Sequence, residues 1–125
     1  GADTIVVIGD QILNKPKSTQ DAKMMLNLLS DKTHNVITAV SIRNKELNIS
    51  EDFTETTSVT FYKLTDDEIF RYIDTYKPFD KAGSYGIQDG SNKFVKQIKG
   101  SYHNIVGFPI AKFYQILKKK YNLFL

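Results

Sequence analysis

Several polar residues stand in or beside the predicted turns of this 125-residue chain, and their types suit phosphate chemistry. They are Asp3, Asp10, Lys15, Asp80, Lys81, Gln88 and Asp89. A lysine neutralises phosphate charge, a carboxylate holds a divalent ion or activates water, and glycines let backbone amides approach an anion. Because any folded protein places polar residues in its turns, this pattern by itself predicts function only weakly.

The elements that must position these residues begin with a predicted β-hairpin. Residues 4–8 are apolar and β-branched, Gly9-Asp10 is a two-residue turn signal, and residues 11–13 form the returning strand. Ser18 then caps a predicted helix over residues 19–30, whose apolar side chains recur at helical spacing. The chain therefore opens with a hairpin followed by a helix.

Two further strands and a strongly capped helix follow. Residues 35–43 and 56–62 are rich in Val, Ile and Thr, which favours strands. Thr65 begins the next helix and Glu68 follows three residues later, which is the pattern of a capping box. We expect this helix to end before Pro78, because the residue before a proline avoids helical geometry.

A glycine-rich loop spans residues 79–92, and loops this long in a compact domain often carry function. Beyond it we predict strands at residues 93–98 and 104–106 and a final helix starting at Pro109. The predicted buried stripe of that helix consists of Ile110, Phe113, Leu117 and Tyr121. Lysines 118–120 suit a solvated helix end, where cations complement the helix dipole.

The composition excludes several classes of protein. With 41% hydrophobic and 25% charged residues, the chain is an ordinary globular one. Without cysteine it has no disulfide scaffold, cysteine nucleophile or thiolate metal site. Its apolar runs are far shorter than the ~20 residues of a membrane helix, and a net charge of +3 does not demand nucleic acid. We expect a single cytoplasmic domain with neither a membrane nor a nucleic-acid partner.

Other catalytic arrangements find little support in the sequence. No P-loop and no dinucleotide-binding glycine motif is present. The 2 histidines, His34 and His103, do not suggest a serine triad. His34 opens a predicted strand, and we favour a structural histidine bonded to a nearby backbone group, with catalysis as the alternative.

Short motifs run along the chain in a fixed order. They are Gly1-Ala2-Asp3-Thr4, Lys15-Pro16, Leu29-Ser30 with Thr33-His34, Asp80-Lys81-Ala82-Gly83, Tyr85-Gly86-Ile87-Gln88 and Asn104-Ile105-Val106-Gly107-Phe108-Pro109. In this order they resemble the Maf family of nucleoside triphosphate pyrophosphatases. The resemblance covers nearly the whole chain and is more specific than any single motif.

The resemblance implies an enzyme that hydrolyses nucleoside triphosphates to the monophosphate and pyrophosphate with a divalent metal such as Mg²⁺ or Mn²⁺. Asp3 would be the catalytic residue, activating water or helping to hold the metal. Lys15 would contact phosphates, and Gln88 would line the nucleotide pocket. The loop with Lys81 and Tyr85 resembles that of the subgroup acting on dTTP and UTP.

The remaining implications concern substrate contacts, fold and role. Thr4, Lys81 and Tyr85 are expected to bind substrate, although Lys81 could instead anchor the loop through an ion pair, and Asp80 fits the same subgroup. The implied fold is a mixed α+β structure like that of inosine-triphosphate pyrophosphatase, with a mixed sheet, flanking helices and a central cleft. The family is thought to remove non-canonical nucleotides and is linked to arrest of cell division.

The chain also departs from the family pattern. Members begin with a strand, an S-x-R-R loop that binds the triphosphate and a helix, whereas this chain opens at the motif containing Asp3. Its only arginines, Arg43 and Arg71, lie outside such a motif. We therefore expect a C-terminal portion of a Maf domain, with catalysis weakened by orders of magnitude. Apolar surface uncovered in this way would favour a homodimer or poor solubility.

Two other hypotheses compete with the enzyme. The chain could be a non-catalytic nucleotide-binding or protein-interaction module on the same scaffold, which nucleotide-induced stabilisation without turnover would favour. It could also be a small nucleic-acid binder, although most of its aromatic residues fall on predicted buried faces. The enzyme hypothesis requires that Asp3, Lys15 and Gln88 converge on one cleft.

Overall fold

A five-stranded sheet with the spatial order β2-β1-β3-β4-β5 forms the framework of the computed structural model, which describes residues 1–125. Its strands are β1 (Ala2–Ile8), β2 (Gln11–Leu13), β3 (Thr33–Asn44), β4 (Ile49–Phe61) and β5 (Val95–Lys99). The helices are α1 (Thr19–Leu29), α2 (Asp66–Tyr76), α3 (Tyr102–Val106) and α4 (Ile110–Tyr121). The mixed α+β class is confirmed. Every neighbouring pair is antiparallel, where a mixed sheet was expected.

The predicted N-terminal hairpin is present. Ile8 pairs with Gln11 across Gly9-Asp10, and Gly9 has a φ of +56°, which glycine adopts without strain. β1 also pairs along its length with β3, with Val6 opposite Val36. The second half of β1 therefore lies between two ladders of hydrogen bonds, whereas Asp3 and Thr4 are held by the β3 ladder alone.

The central hairpin of β3 and β4 is longer than the sequence predicted. β4 begins at Ile49 rather than at residue 56. Its first half contains Glu51, Asp52 and Glu55, whose polar character hid the strand, yet these residues pair with β3. Backbone pairing alone thus extends the strand where the side chains carry no strand signal.

Helices α1 and α2 begin at the caps that the sequence predicted. Ser18 Oγ accepts the Asp21 N–H at 3.0 Å. Thr65 Oγ1 accepts the Glu68 N–H at 3.1 Å, and Glu68 Oε1 accepts the Thr65 N–H at 3.0 Å, which completes the capping box. These local hydrogen bonds satisfy backbone donors that a helix N-terminus leaves without partners.

One face of the sheet is covered and the other is open. The covered face packs against α1, α2 and the loop after α2, and its largest fully buried side chains include Leu26, Phe61 and Phe94. Strand alternation places Ile5 and Ile37 on the opposite face, where they are only half-buried. The core is therefore one-sided.

The segment at residues 104–106 is a helix, so the predicted strand there is wrong. Ser101 Oγ accepts the Asn104 N–H at 3.2 Å and begins α3, and Gly107 ends it with a φ of +134°. The apolar pair Ile105-Val106 suggested a strand, but capping residues at both ends of so short a segment favour a helical turn.

The final helix is less buried than predicted. Pro109 is its N-cap rather than its first residue, and the helix starts at Ile110, whose side chain is 42% exposed. Of the predicted stripe only Leu117 is buried. Lys120 Nζ lies 3.2 Å from Glu51 Oε2, which ties the solvated end of the helix to β4. None of the helices is long and apolar enough to cross a membrane.

Candidate active site

A cavity of about 450 Å³ opens between β1, the loop after α2 and the end of α3. Every predicted site residue borders it, namely Asp3, Thr4, Lys15, Lys81, Tyr85 and Gln88. Asp80 and Asp89 join them, whereas Asp10 lies outside the lining. The convergence of Asp3, Lys15 and Gln88 that the enzyme hypothesis requires is therefore present.

The wall formed by β1 presents Thr4 to the cavity and Asp3 at its rim. Thr4 Oγ1 lies 2.8 Å from Thr38 Oγ1, so the two hydroxyls share a hydrogen bond. Successive strand residues point to opposite faces, and the exposed Asp3 also borders a second groove with Ala39 and Ser41. The Asp3 carboxylate therefore stands at the mouth of the cavity, in contact with solvent.

Lys15 reaches the same cavity from the segment that follows β2. The next residue, Pro16, is buried and has a fixed φ angle, which restricts the backbone beside the lysine. Lys15 itself is exposed and borders the cavity. Its ammonium is thus a hydrated point charge available to an anion.

The loop after α2 supplies the opposite wall with Lys81 and Gln88. Lys81 Nζ lies 3.9 Å from Asp80 Oδ2, and the two side chains are 42% and 78% exposed. An ion pair this long between exposed groups contributes little. The alternative in which Lys81 anchors the loop through an ion pair therefore has weak support, and its charge remains available to a ligand.

Tyr85 lines the cavity with its ring while its hydroxyl turns into the core. Tyr85 Oη lies 2.7 Å from His34 Nε2, and both side chains are buried. Burial lowers the pKa of His34 to about 4, so this imidazole is neutral at pH 7. The expected backbone partner of His34 was wrong, because its partner is a phenol 51 residues away. His34 does not border the cavity, which argues against a catalytic role.

A cluster behind the loop ties it to α2, and sequence reasoning missed it. Tyr72 Oη donates to the Asp89 carboxylate at 2.9 and 3.0 Å and accepts the Gly86 N–H at 3.1 Å. The Ser91 N–H donates to Asp89 Oδ1 at 2.9 Å, and Ser91 Oγ donates to the Gly86 carbonyl at 2.7 Å. We call Tyr72, Gly86, Asp89 and Ser91 the loop clamp. Only the Asp89–Ser91 turn has a local sequence signal.

Asn104 holds the third wall, formed by α3, against the sheet. Its Nδ2 lies 3.0 Å from the Val36 carbonyl, 3.1 Å from the Glu55 carbonyl and 3.0 Å from Thr57 Oγ1. The buried amide thereby fixes the position of Ile105, which borders the cavity. The resemblance included Asn104 in a motif, but only the fold reveals this anchoring contact.

The cavity offers carboxylates without a complete metal site. The chain contains no cluster of three or more His, Asp or Glu side chains that could hold a metal ion. Both oxygens of Asp89 already accept hydrogen bonds, which leaves Asp3 and Asp80 as exposed carboxylates on the lining. Because Mg²⁺ is commonly held by one or two carboxylates together with substrate phosphates, these residues fit such an ion.

A wider groove of about 870 Å³ lies elsewhere, between α1 and α2. Met24 and Phe70 border it, and both are about half exposed. It contains none of the predicted site residues. The smaller cavity therefore remains the candidate active site, since the predicted residues Asp3, Lys15 and Gln88 converge there.

Comparison with protein families agrees with the order of the motifs. The family model described as "Maf-like protein" matches residues 1–120. The chain belongs to the Maf-like protein family. The matched residues include the whole lining of the candidate active site, so the Maf-like match and the cavity involve the same part of the chain.

Curated relatives of this Maf-like chain carry the name dTTP/UTP pyrophosphatase. The Bacillus pumilus protein is 52% identical over 118 residues, which cover 94% of this chain and 61% of the relative. The Agathobacter rectalis protein is 50% identical over 122 residues, covering 95% and 60%. The protein of Thermoanaerobacter sp. is 47% identical over 124 residues, covering 98% and 64%. The chain thus spans between 60% and 64% of the length of these relatives.

Proposed function

We propose that this protein is a nucleoside triphosphate pyrophosphatase that acts on dTTP and UTP. The observation that carries the proposal is the convergence of Asp3, Lys15 and Gln88 on one cavity. The names of the relatives add support, because the sequences of those proteins are about half identical to this chain. The proposal concerns the whole protein, of which this chain supplies the cavity described above.

The proposed reaction breaks the bond between the α- and β-phosphates. A water molecule attacks the α-phosphorus, its oxygen forms the new P–O bond, and pyrophosphate leaves with the electron pair of the broken bond. Asp3 accepts a proton from the attacking water, which is the role of a general base. Lys15 and Lys81 face the negative charge that develops on the phosphate oxygens.

A divalent ion, Mg²⁺ or Mn²⁺, belongs to the proposal. Asp3, with Asp80 as the second exposed carboxylate of the lining, would hold it together with the substrate phosphates. When bound, such an ion neutralises phosphate charge and polarises the phosphoryl group. Asp3 remains the proton acceptor for the attacking water, and the lysines bind the outer phosphates.

Gln88 and the apolar lining suit a pyrimidine base. Uracil and thymine present an N–H flanked by carbonyl oxygens, and a glutamine amide offers both a donor and an acceptor. Ile87 and the Tyr85 ring are buried beside the exposed Gln88 and supply an apolar surface for the base. Gln88 would therefore recognise the base, and Thr4 would contact the substrate from the β1 wall.

Further parts of the proposal concern the cellular setting. A substrate from the nucleotide pool places the enzyme in the cytoplasm, where it would remove non-canonical nucleotides and affect cell division. We propose that residues 1–125 lie within a single domain. A homodimer is the expected assembly, supported by the half-buried Ile5 and Ile37 on the open sheet face. Sedimentation would test it, and a monomer at micromolar concentration would contradict it.

A product assay tests the proposed function. This chain, and a form extended to the length of the relatives, are incubated with dTTP or UTP and Mg²⁺, and the products are separated. We expect monophosphate plus pyrophosphate, with turnover reduced at least ~100-fold in Asp3→Asn because the general base is lost. Asp10→Asn is the matched control, since Asp10 lies outside the cavity, and it should retain full turnover.

Two results would contradict the proposal. Monophosphate and orthophosphate in place of pyrophosphate would show cleavage at other bonds. Inactivity of both forms, combined with nucleotide-induced thermal stabilisation, would instead favour the non-catalytic binding module. Turnover by the extended form alone would retain the proposal and show that the reaction needs residues outside this chain.

A further inference from the structure

The loop clamp is the polar cluster that the proposed reaction does not use. Tyr72 belongs to α2 and does not border the cavity. Its hydroxyl nevertheless contacts the loop through both Gly86 and Asp89. Because burial and the neighbouring Asp89 raise the pKa of Tyr72, the hydroxyl keeps its proton and acts as a donor.

Gly86 lies directly beneath the side chain of Lys81. A Cβ atom at Gly86 would lie 2.6 Å from both Cδ and Cε of Lys81, far inside van der Waals contact. The aliphatic stem of Lys81 therefore crosses the bare backbone of Gly86 on its way to the cavity. The position of the Gly86 backbone therefore limits where this stem can lie.

The clamp fixes both polar groups of the Gly86 residue. Tyr72 Oη accepts its N–H at 3.1 Å, and Ser91 Oγ donates to its carbonyl at 2.7 Å. Gly86 and the fully buried Ser91 are thus joined through side-chain contacts that a flexible loop lacks. The Gly86 backbone beneath Lys81 is therefore held by α2 on one side and by the turn after Asp89 on the other.

Neighbouring hydrogen bonds also fix the turn that carries Gln88. The Asp89 N–H donates to the Gly86 carbonyl at 3.1 Å, which closes a tight turn around Ile87 and Gln88. Asp89 in turn accepts from Tyr72 and from the Ser91 N–H. These hydrogen bonds hold the Asp89 carboxylate in place, and through it they shape the loop.

We infer that Tyr72 and Asp89 are positioning residues that set the spacing between the ammonium of Lys81 and the amide of Gln88. This inference rests on the proposed function, in which Lys81 binds phosphate and Gln88 binds the base. A nucleoside triphosphate bridges both groups, and productive sites hold such groups to within about 0.5 Å. The clamp therefore favours ligands in which a base and a triphosphate lie at one fixed separation.

The test measures binding of a dTTP analogue with a non-hydrolysable α–β bridge, in the presence of Mg²⁺, by calorimetry. Tyr72→Phe removes the hydroxyl and keeps the ring, and we expect its Kd to rise about 10-fold because Lys81 and Gln88 lose their spacing. Tyr62→Phe is the matched control, since the exposed Tyr62 lies outside both the clamp and the cavity, and its Kd should not change. Ser91→Ala offers a second way to loosen Gly86 if Tyr72→Phe does not fold.

A double-mutant cycle separates positioning from general damage. If Tyr72 acts through Lys81, the Tyr72→Phe/Lys81→Met protein should bind little more weakly than Lys81→Met alone. Two outcomes would overturn the inference and leave the proposed function standing. One is that the losses of affinity in the two single variants add up in the double variant. The other is that Lys81→Met weakens binding whereas Tyr72→Phe leaves it unchanged. Failure of the wild-type and extended forms to bind the analogue would overturn both.

Discussion

Two of the three walls of the cavity, the β1 wall and the loop wall, are positioned by different kinds of interaction. The β1 wall is held by backbone ladders, to β3 along its length and to β2 from Val6 onward. Asp3 projects from this wall into solvent, and the exposed Lys15 follows β2 beside it. The loop wall lacks such ladders. It is held by side chains, through the Tyr85–His34 hydrogen bond and the loop clamp around Gly86.

This difference separates the residues that we propose to perform chemistry from those that maintain shape. On the β1 wall, a side chain can change without loss of the strand, because the ladder uses backbone atoms only. On the loop wall, the buried hydroxyl of Tyr85 has one partner, so the loss of either group leaves the other unsatisfied. We therefore expect the stability of the loop wall to be the more sensitive to mutation and to pH.

The largest expected effect is acid destabilisation through His34. The pKa of His34 is about 4 when folded and near 6.5 when unfolded, so between these values only the unfolded chain takes up the proton. The contribution of neutral His34 to the free energy of unfolding is then fully present above pH 6.5, and about 3 kcal/mol of it is lost as the pH drops to 4. Urea unfolding at a series of pH values measures this loss.

Two observations isolate His34 from the carboxylates that titrate in the same range. His34→Gln should flatten this part of the stability profile, since it removes the titrating ring. An NMR titration of the wild-type His34 ring supplies an answer that does not depend on a variant folding. A midpoint above pH 6 would contradict the buried, neutral imidazole.

A smaller loss of stability is expected where the two walls meet, at Gly83. Gly83 has a φ of +71°, and a Cβ there would lie 3.0 to 3.2 Å from atoms of Val6 on β1. Gly83→Ala should cost about 2 kcal/mol from backbone strain and crowding together. Gly9→Ala is the matched control, with a φ of +56° and no atom within 4 Å. Equal losses in urea unfolding would mean that crowding against Val6 contributes nothing.

The smallest effect is expected on the β1 wall, at Thr4. Thr4→Val removes one partner of the fully buried Thr38 hydroxyl and should cost about 1 kcal/mol. Replacing both threonines by valine should restore stability to within about 0.5 kcal/mol, since no unsatisfied hydroxyl remains. If the double variant were less stable than Thr4→Val, the hydrogen bond between the two hydroxyls would itself stabilise the β1 wall.

Local signals were sufficient for much of the fold. The Gly9-Asp10 turn and the caps at Ser18 and Thr65 are short-range interactions, and all are present as predicted. The first half of β4 was missed because its polar and acidic side chains carry no strand signal, although its partners on β3 lie close in sequence. The turn at α3 was missed because its apolar residues outweighed the Ser101 cap.

The sequence predicted which residues border the cavity, but not which contacts hold those residues in place. Motif resemblance named Asp3, Lys15 and Gln88, and all border the cavity. The resemblance could not indicate the hydrogen bond between Tyr72 and Asp89, because these residues stand 17 positions apart on a helix and a loop. Such contacts follow from how α2 packs, which is set by the assembled core rather than by local pattern.

The long-range bond between His34 and Tyr85 also has a consequence for the order of folding. Its residues are 51 positions apart, whereas the β1–β2 hairpin closes between neighbours in sequence. Contacts between distant residues form slowly, because much chain entropy must be lost before they stabilise anything. We therefore expect the β1–β2 and β3–β4 hairpins to form before the loop docks on the sheet. The cavity would then be completed late in folding.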